Sequence, residues 1–245
     1  MHASLFFDDN ASYFAGADLR AMAREGIRAT SLIRRAGEGE RGAAEALHIG
    51  FWPFVREFEL AIDKQHLPRD PLKQRFSNSS RARVNRTFAE LARAVSTMKQ
   101  EEGSHASHWK KDAQCLGLSS LEGHAVAPGV QALIDSSYSK DLPRFFSVLA
   151  GTEFVAEELS AYLTKRPAYL DHFSRKRWIW GEVHLIPHDD GPSHLEIDLD
   201  LARAYSADDQ SAKARIESMI VETIALFAQS ANEIESALAP KAELA

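Results

Sequence analysis

Apolar side chains recur every three or four residues along most of the chain, with polar side chains between them. One series follows Arg81 at spacings of 4, 3, 4 and 3: Val84, Phe88, Leu91, Val95 and Met98. A similar series lies near the C-terminus: Ile216, Ile220, Ile224, Phe227, Ala231 and Ile234. This period places each series on one face of an α-helix. Because no stretch alternates as a strand does and no Asn-Gly hairpin signal occurs, we predict an all-α protein.

Proline, glycine and polar runs divide this pattern into separate helices. The predicted helices are residues 17–36, 42–65, 81–117, 130–136, 141–164, 168–186, 194–205 and 211–238, with a loop at 66–80. Leu116-Gly117 is the predicted C-cap of the long helix, which Gly103-Ser104 kinks or interrupts, and Ser193 is a predicted N-cap. Such helices pack as a bundle of about seven. We therefore predict a single domain over residues 1–245, with its core at roughly 42–238.

The composition is that of an ordinary globular protein, with 245 residues, 44% hydrophobic and 26% charged. The net charge of −6 does not favour a nucleic-acid partner. No stretch approaches the roughly 18 apolar residues of a membrane span, and the start lacks the regions of a signal peptide. The single cysteine, Cys115, excludes a disulfide within the chain and is predicted to be a small core residue. We therefore expect a cytoplasmic protein without a membrane partner.

The first chemically informative segment is the continuation of the long helix. Glu101 and His108 are seven residues apart, so they differ by only about 20° in direction and extend the apolar face. Glu102 points about 100° away from Glu101 and ranks lower, whereas His105 lies near the same face and is a second candidate. A buried carboxylate needs an ion-pair partner or a metal. The alternative is a solvated helix end.

The second segment is a glutamate in an otherwise apolar helix. Glu153 lies within the apolar and small-residue stretch 145–156, and Glu157 follows one turn later. Both are candidate ligands, and Glu153 is the stronger one because its neighbours are apolar. The alternative is a solvated edge at which these carboxylates pair with a Lys or Arg.

The third segment holds three histidines within eleven residues. His184 and His188 are one helical turn apart, a common way to present two ligands. Gly and Pro residues nearby predict a distorted helix that turns Asp190 and His194 towards the same centre. The alternative is a polar surface turn. Carboxylate and imidazole together suit iron or manganese, and the absence of thiolates argues against structural zinc.

These residues resemble the motifs of the haem-oxygenase-like di-metal oxidases, a superfamily that includes the TenA thiaminases, PqqC and CADD. The family pattern is Glu-x6-His, a lone Glu on a later helix, and a final cluster of His, Asp and His. The matching positions are Glu101, His108, Glu153, His184, Asp190 and His194. Five residues separate His184 from Asp190, more than the family has. An insertion, His188 in place of the Asp, or an incomplete or single-metal site would each explain this departure.

The resemblance implies an up-and-down bundle that encloses two iron ions, with manganese as the alternative metal. It implies an oxidase or oxygenase in which Glu153 bridges the metals, and in which O2 oxidises an amine, amino acid or fatty acid. Trp178, Trp180, Phe146 and Tyr205 are candidate pocket walls, although core packing also explains them. The resemblance also admits a homodimer.

Two other functions stay open. One is a cofactor-free enzyme of the PqqC or TenA kind, in which His and Glu act as acid and base. Its thiaminase branch uses a nucleophilic cysteine, and Cys115 stands in the wrong context for that role. The other is a non-catalytic helical binding protein. Haem binding is not favoured, because His48 is the only nominee for a proximal ligand.

Overall fold

The computed structural model describes residues 6–7, 9–14, 18–79, 81–186, 192–207, 209 and 211–238. Their helices are α1 (Asn10–Tyr13), α2 (Leu19–Ala29), α3 (Ser31–Gly37), α4 (Arg41–Lys64), α5 (Arg69–Arg75), α6 (Arg81–Cys115), α7 (Pro128–Ser137), α8 (Leu142–Leu163), α9 (Pro167–Leu170), α10 (Ile179–Val183), α11 (His194–Tyr205) and α12 (Ala212–Leu238), with a 3-10 turn at Ser174–Lys176. None of these residues forms a β-strand. The predicted all-α fold is confirmed.

Seven of the helices in this described part have ten residues or more: α2, α4, α6, α7, α8, α11 and α12. The long helix α6 runs through Gly103-Ser104, so the predicted interruption there is wrong. It ends at Cys115 and is followed by Gly117, whose φ of +79° is the left-handed conformation of a glycine C-cap, which confirms the predicted end.

The predicted helix at 17–36 is divided in two. Thr30, between α2 and α3, has extended backbone with ψ of 127°, and its hydroxyl donates to the Ile27 carbonyl at 2.6 Å. A threonine side chain that bonds its own backbone competes with the helix in this way. The predicted loop at 66–80 also contains a short helix, α5.

The predicted helix at 168–186 is wrong over most of its length. Arg175 and Lys176 have φ of 58° and 56°, which no α-helix accommodates. Only α9 and α10 are α-helical in this stretch. The irregular path buries Phe173 and Trp178 on either side while the charged residues 175–177 remain exposed. Burial of these rings outweighs the loss of regular helix.

Helix α8 lies at the centre of the bundle. It is buried on nearly all sides, and α2, α10, α11 and α12 pack around it. The buried core as a whole extends from Phe14 to Ile234. Because α8 is central, any polar residue on it faces protein, and Glu153 is such a residue. No described helix has the length and apolar character needed to cross a membrane.

The close approach of α8 to α12 gives a test of the packing. A Cβ added at Gly151 would lie 2.7 Å from the Cβ of Thr223, an atom that cannot move away. We expect Gly151→Ala to lower the free energy of unfolding by about 1–3 kcal/mol. Gly42→Ala, where nothing lies within 4 Å, is the matched control and should be neutral or slightly stabilising. Chemical denaturation measures both, and equal effects would contradict this packing.

Candidate functional site

The apolar face of α6 continues into polar residues without a change of spacing. After Met98, the core-facing positions at intervals of 4, 3 and 4 are Glu102, His105 and Trp109, and all three are buried. The side chain of Glu101 is 39% exposed. The structure therefore corrects the predicted ranking, because Glu102 and not Glu101 lies on the core-facing line. Extending the 4-3-4-3 spacing of the apolar positions one step beyond Met98 would have identified Glu102.

The carboxylate of Glu102 lies between two imidazoles. Its Oε2 is 3.0 Å from Nδ1 of His105, and its Oε1 is 3.1 Å from Nδ1 of His194. Burial opposes the charged form, but the two imidazoles outweigh it and lower the pKa of Glu102. Despite burial, the charge of Glu102 raises the pKa of His105. The metal-free site thus holds an ionised carboxylate paired with cationic imidazoles.

His194 joins three carboxylates. Besides Glu102, its Nδ1 is 3.8 Å from Oε1 of Glu153, and its Nε2 is 2.6 Å from Oε2 of Glu101. Burial alone would lower the pKa of His194, but Glu102 and Glu153 raise it to about 12. Both ring nitrogens therefore carry protons at neutral pH, and the imidazolium balances part of the surrounding negative charge.

The start of α11 fixes the position of His194. Ser193 accepts a hydrogen bond from the Glu196 backbone N–H at 3.2 Å, and Glu196 accepts from the Ser193 backbone N–H at 2.8 Å. This reciprocal capping box confirms the predicted N-cap. His194 is consequently the first residue of a well-defined helix, and its ring is held against α6 and α8.

Asp198, one turn after His194, is a member of the site that the sequence analysis missed. It is 1% exposed, and its Oδ1 has no hydrogen-bond partner among the described residues. Burial, together with the charge of Glu153, raises the pKa of Asp198 well above its usual range. The sequence carried one signal for this residue: Asp198 lies among apolar residues of α11, four positions after His194 and so on the same helix face.

His184 borders the same site from the end of α10. Its Nδ1 donates to the Trp180 carbonyl at 2.7 Å, and its ring packs at a tilt against His105 with centroids 4.3 Å apart. Burial and the charge on His105 lower the pKa of His184 to about 4, so this imidazole is neutral. Its protonated Nδ1 leaves Nε2 as the nitrogen with a free lone pair.

Other predicted ligands do not join the cluster. His108 is partly buried, its Nδ1 has no partner in the described structure, and it contacts none of the three carboxylates. Glu157 pairs with Arg20 at 2.6 Å. Asp190 and His188 lie outside the described residues. Of the residues predicted from the sequence, the cluster contains Glu101, His105, Glu153, His184 and His194. Glu102, which ranked lower, and Asp198 also belong to it.

Two cavities adjoin this cluster. The polar one, of about 770 Å³, is lined by Glu101, His105, Glu153, His184 and His194 together with apolar residues of the α10 end. The other, of about 60 Å³, is almost entirely apolar and lies between α2, α4, α8 and α12. Trp180 lines the apolar cavity and packs at a tilt against His184, which lines the polar one.

The remaining predicted pocket walls are core residues. Phe146 is 1% exposed, Trp178 is fully buried, and Tyr205 stacks on Phe146 with centroids 6.1 Å apart. None of these three lines either cavity described above. Cys115 is exposed, so its predicted place in the core is wrong.

The donor set fits a metal ion. Ligand atoms of Glu102, Glu153 and His194 all lie within 4.8 Å of one another, and all three residues are buried. The orphaned oxygen of Asp198 is a fourth buried donor, close enough for the charges of Glu153 and Glu102 to raise its pKa. Carboxylate and imidazole together are the ligand set of non-haem iron and of manganese. Buried carboxylates at this density need a cation, which is an imidazolium in the metal-free protein.

Comparison with known proteins supports the fold. The chain is similar to the crystal structure of a TenA homolog from Pseudomonas syringae pv. tomato, with 15% sequence identity and a TM-score of 0.64. The similarity covers 93% of this chain and 91% of that one. No protein-family model and no curated protein matches the sequence. The chain therefore has a TenA-like helical fold.

The raised pKa of Asp198 predicts a stabilising substitution. An acid whose folded-state pKa is raised loses stability as the pH rises above its unfolded-state pKa. At pH 8, we expect Asp198→Asn to raise the free energy of unfolding of the metal-free protein by about 1 kcal/mol or more, with a smaller gain at pH 4.

Asp200→Asn is the matched control for this substitution. Asp200 is also buried, but it accepts hydrogen bonds from the Phe6 backbone N–H and from Asn10, both at 2.7 Å. We expect its substitution to destabilise the protein. Denaturant titrations at the two pH values measure both variants. A destabilised Asp198→Asn variant at pH 8 would contradict this description of the site.

Proposed function

We propose that this protein is an iron-dependent oxidase or oxygenase that uses O2 to oxidise a small organic substrate. The observation that supports it best is the convergence of Glu102, Glu153 and His194 from three helices on one buried point. Manganese is the alternative metal, because it accepts the same ligands. The TenA-like fold is compatible with an enzyme of this superfamily.

In the proposed metal site, Glu102, Glu153 and His194 bind the ion, and Asp198 is the next available donor. His194 would bind through Nδ1, the nitrogen that faces Glu102 and Glu153. Its Nε2–H would then donate to Glu101, which orients the ring as outer carboxylates do at metal-bound histidines. Glu101, predicted from the sequence to be a ligand, thus has an orienting role in this proposal.

Glu102 is the carboxylate that would hold metal together with two histidines. Each of its oxygens faces a different histidine, His105 on one side and His194 on the other. Glu153, the bridging residue implied by the family resemblance, has a carboxylate oxygen 3.8 Å from Nδ1 of His194, and its charge also acts on His105. His105 and the second oxygen of Glu102 would hold the second ion.

When bound, reduced iron would supply electrons to O2 and an open coordination position for it. The protein residues bind and orient the reactants. The polar cavity admits the substrate, and its size falls within the range of small-molecule sites. His184, neutral and with a free Nε2, is positioned to accept a proton from a substrate in this cavity.

A metal-free acid–base enzyme is the second candidate function. Asp198 is a buried carboxyl whose raised pKa keeps its proton, while His184, which also feels the charge of Glu153, is neutral with a lowered pKa. An acid and a base with pKa values displaced in this way are typical of active sites. Metal binding distinguishes the two candidates, because a cofactor-free enzyme needs none.

Iron loading tests the proposed ligands. Anaerobic incubation with Fe(II), followed by metal analysis, should show stoichiometric iron in the native protein and its loss in Glu102→Ala and His194→Ala. Glu101→Ala, which removes only the orienting carboxylate, should weaken binding by about 10–100-fold. His108→Ala is the control and should bind normally. Only trace iron in the native protein, or an equal loss in His108→Ala, would contradict the proposal.

The protonation of the site predicts that metal binding releases protons. The carboxylates raise the pKa of His194 to about 12, so its Nδ1 must lose a proton before it can bind an ion. We expect about one proton or more released per ion near pH 7.5, and an affinity that rises with pH. Titration calorimetry in buffers of different ionisation enthalpy measures this number. A pH-independent affinity without proton release would show that the ion binds elsewhere.

A further inference from the structure

A continuous series of aromatic rings leads from the carboxylate cluster into the core. The His105 ring packs at a tilt against His184 with centroids 4.3 Å apart, and His184 packs in the same way against Trp180 at 4.0 Å. Trp180 in turn packs on Trp178 at 5.3 Å. Each pair of rings is in contact, so the two tryptophans connect with the cluster through conjugated side chains only.

Aromatic contacts alone are ordinary in a protein core, but the hydrogen bonding of these two indoles is not. A buried indole N–H usually has an acceptor. The other two tryptophans follow this rule: Trp109 donates to the His48 carbonyl at 2.9 Å and Trp52 to Glu122 at 2.8 Å. Trp178 and Trp180 have no acceptor for Nε1–H among the described residues. Close packing of the series therefore comes at the expense of hydrogen bonding.

A buried carboxylate accepts a hydrogen bond from the backbone of one of these tryptophans and is not used by the proposed metal site. Asp112 is 2% exposed, and its Oδ2 accepts a hydrogen bond from the Trp180 backbone N–H at 2.9 Å. Burial raises the pKa of Asp112 to about 6, so it is still ionised above neutral pH. A negative charge at low dielectric stabilises a positive charge on a neighbouring group.

We propose that Trp180 and Trp178 form an electron relay, which returns single electrons to the metal centre when O2 has oxidised it without substrate oxidation. Trp180 gives one electron to the oxidised centre through the His184 and His105 contacts and becomes a cation radical. Trp178 then gives one electron to Trp180. A small one-electron reductant in solution, such as a thiol or ascorbate, restores Trp178 and is itself oxidised. No proton moves within the protein, because each indole keeps its Nε1–H.

Tyr169 explains why the positive charge stops at the tryptophans. Its ring is 5.3 Å from that of Trp178, but its hydroxyl has no hydrogen-bond partner in the described part of the chain. Burial and the charge of Asp112 raise the pKa of Tyr169 well above its usual value. Oxidation of a phenol requires loss of its proton, and no acceptor is in place. The radical is therefore expected on tryptophan and not on tyrosine.

The outer end of the relay lies beside exposed chain. Trp178 directly follows the exposed residues 175–177, and the Sγ of Cys115 lies 3.6 Å from the Oγ of Ser174. Cys115 is exposed and is the only cysteine. It can therefore carry a single photo-oxidant at this end of the relay, without any metal in the protein.

The relay rests on the proposed function only for its oxidant, so the first test uses metal-free protein. A ruthenium polypyridyl complex is attached to Cys115 and oxidised by a laser flash with an external quencher. Transient absorption should then show a tryptophan cation radical. The signal should be lost in Trp178→Phe and kept in Tyr169→Phe and in Trp52→Phe, which removes a buried tryptophan outside the series. Melting temperatures confirm that each variant is folded.

The second test uses iron-loaded protein exposed to O2 without substrate. Freeze-quench electron paramagnetic resonance should show a tryptophan radical that is lost in Trp180→Phe and kept in Trp52→Phe. Asp112→Asn, which removes the charge but keeps an acceptor for Trp180 N–H, should lower the radical yield. This change distinguishes stabilisation by charge from a purely structural role of Asp112.

The outcomes separate the two proposals. Protein that binds no iron but forms the flash-induced radical overturns the proposed function and supports electron transfer through the two tryptophans. Protein that binds iron and consumes O2 but shows no tryptophan radical in either test overturns the relay and leaves the proposed function standing. A tyrosyl radical that disappears in Tyr169→Phe also overturns the relay as assigned.

Discussion

The arrangement of the site depends on one buried carboxylate. Glu102 lies inside the bundle, where an unpaired charge would be very costly, so cationic partners must reach it. His105 supplies one from the same helix, and His194 supplies the other from α11. The second contact ties α11 to α6 and aligns His194 with Glu101 and Glu153. The geometry of the cluster follows from this need for charge compensation.

The polar groups of the cluster are unevenly paired: Glu102 has an imidazole partner at each oxygen, whereas Asp198 has an oxygen with none among the described residues. The carboxylates also outnumber the imidazoles that face them. Such an imbalance lowers the stability of the protein. The proposed metal would compensate for it, so in that proposal the residues that weaken the fold are the ones that would bind the ion.

The irregular segment between α9 and α11 connects this site with the core. The left-handed residues Arg175 and Lys176 stop a regular helix, and the chain then places Trp178, Trp180 and His184 in one series of contacting rings. Trp180 and His184 share a face of α10 because they are four residues apart, but in a continuous helix Trp178 would point about 160° away from Trp180. The departure from helical structure is thus what brings Trp178 into the series.

The 3.6-residue period predicted the all-α class and most of the long helices, and the glycine and serine at helix ends predicted the Gly117 C-cap and the Ser193 N-cap, because these features depend on local spacing and capping chemistry. When the same period is continued beyond Met98, its next core-facing position is Glu102. The break at Arg175 could not be read from the sequence, because it depends on the burial of rings against distant helices. Nor could the contact of Glu102 with His194, 92 residues away, be read from it. Only the packing of α6, α8 and α11 decided which carboxylates share a buried imidazole, since side chains meet across helices through tertiary contacts and not through spacing.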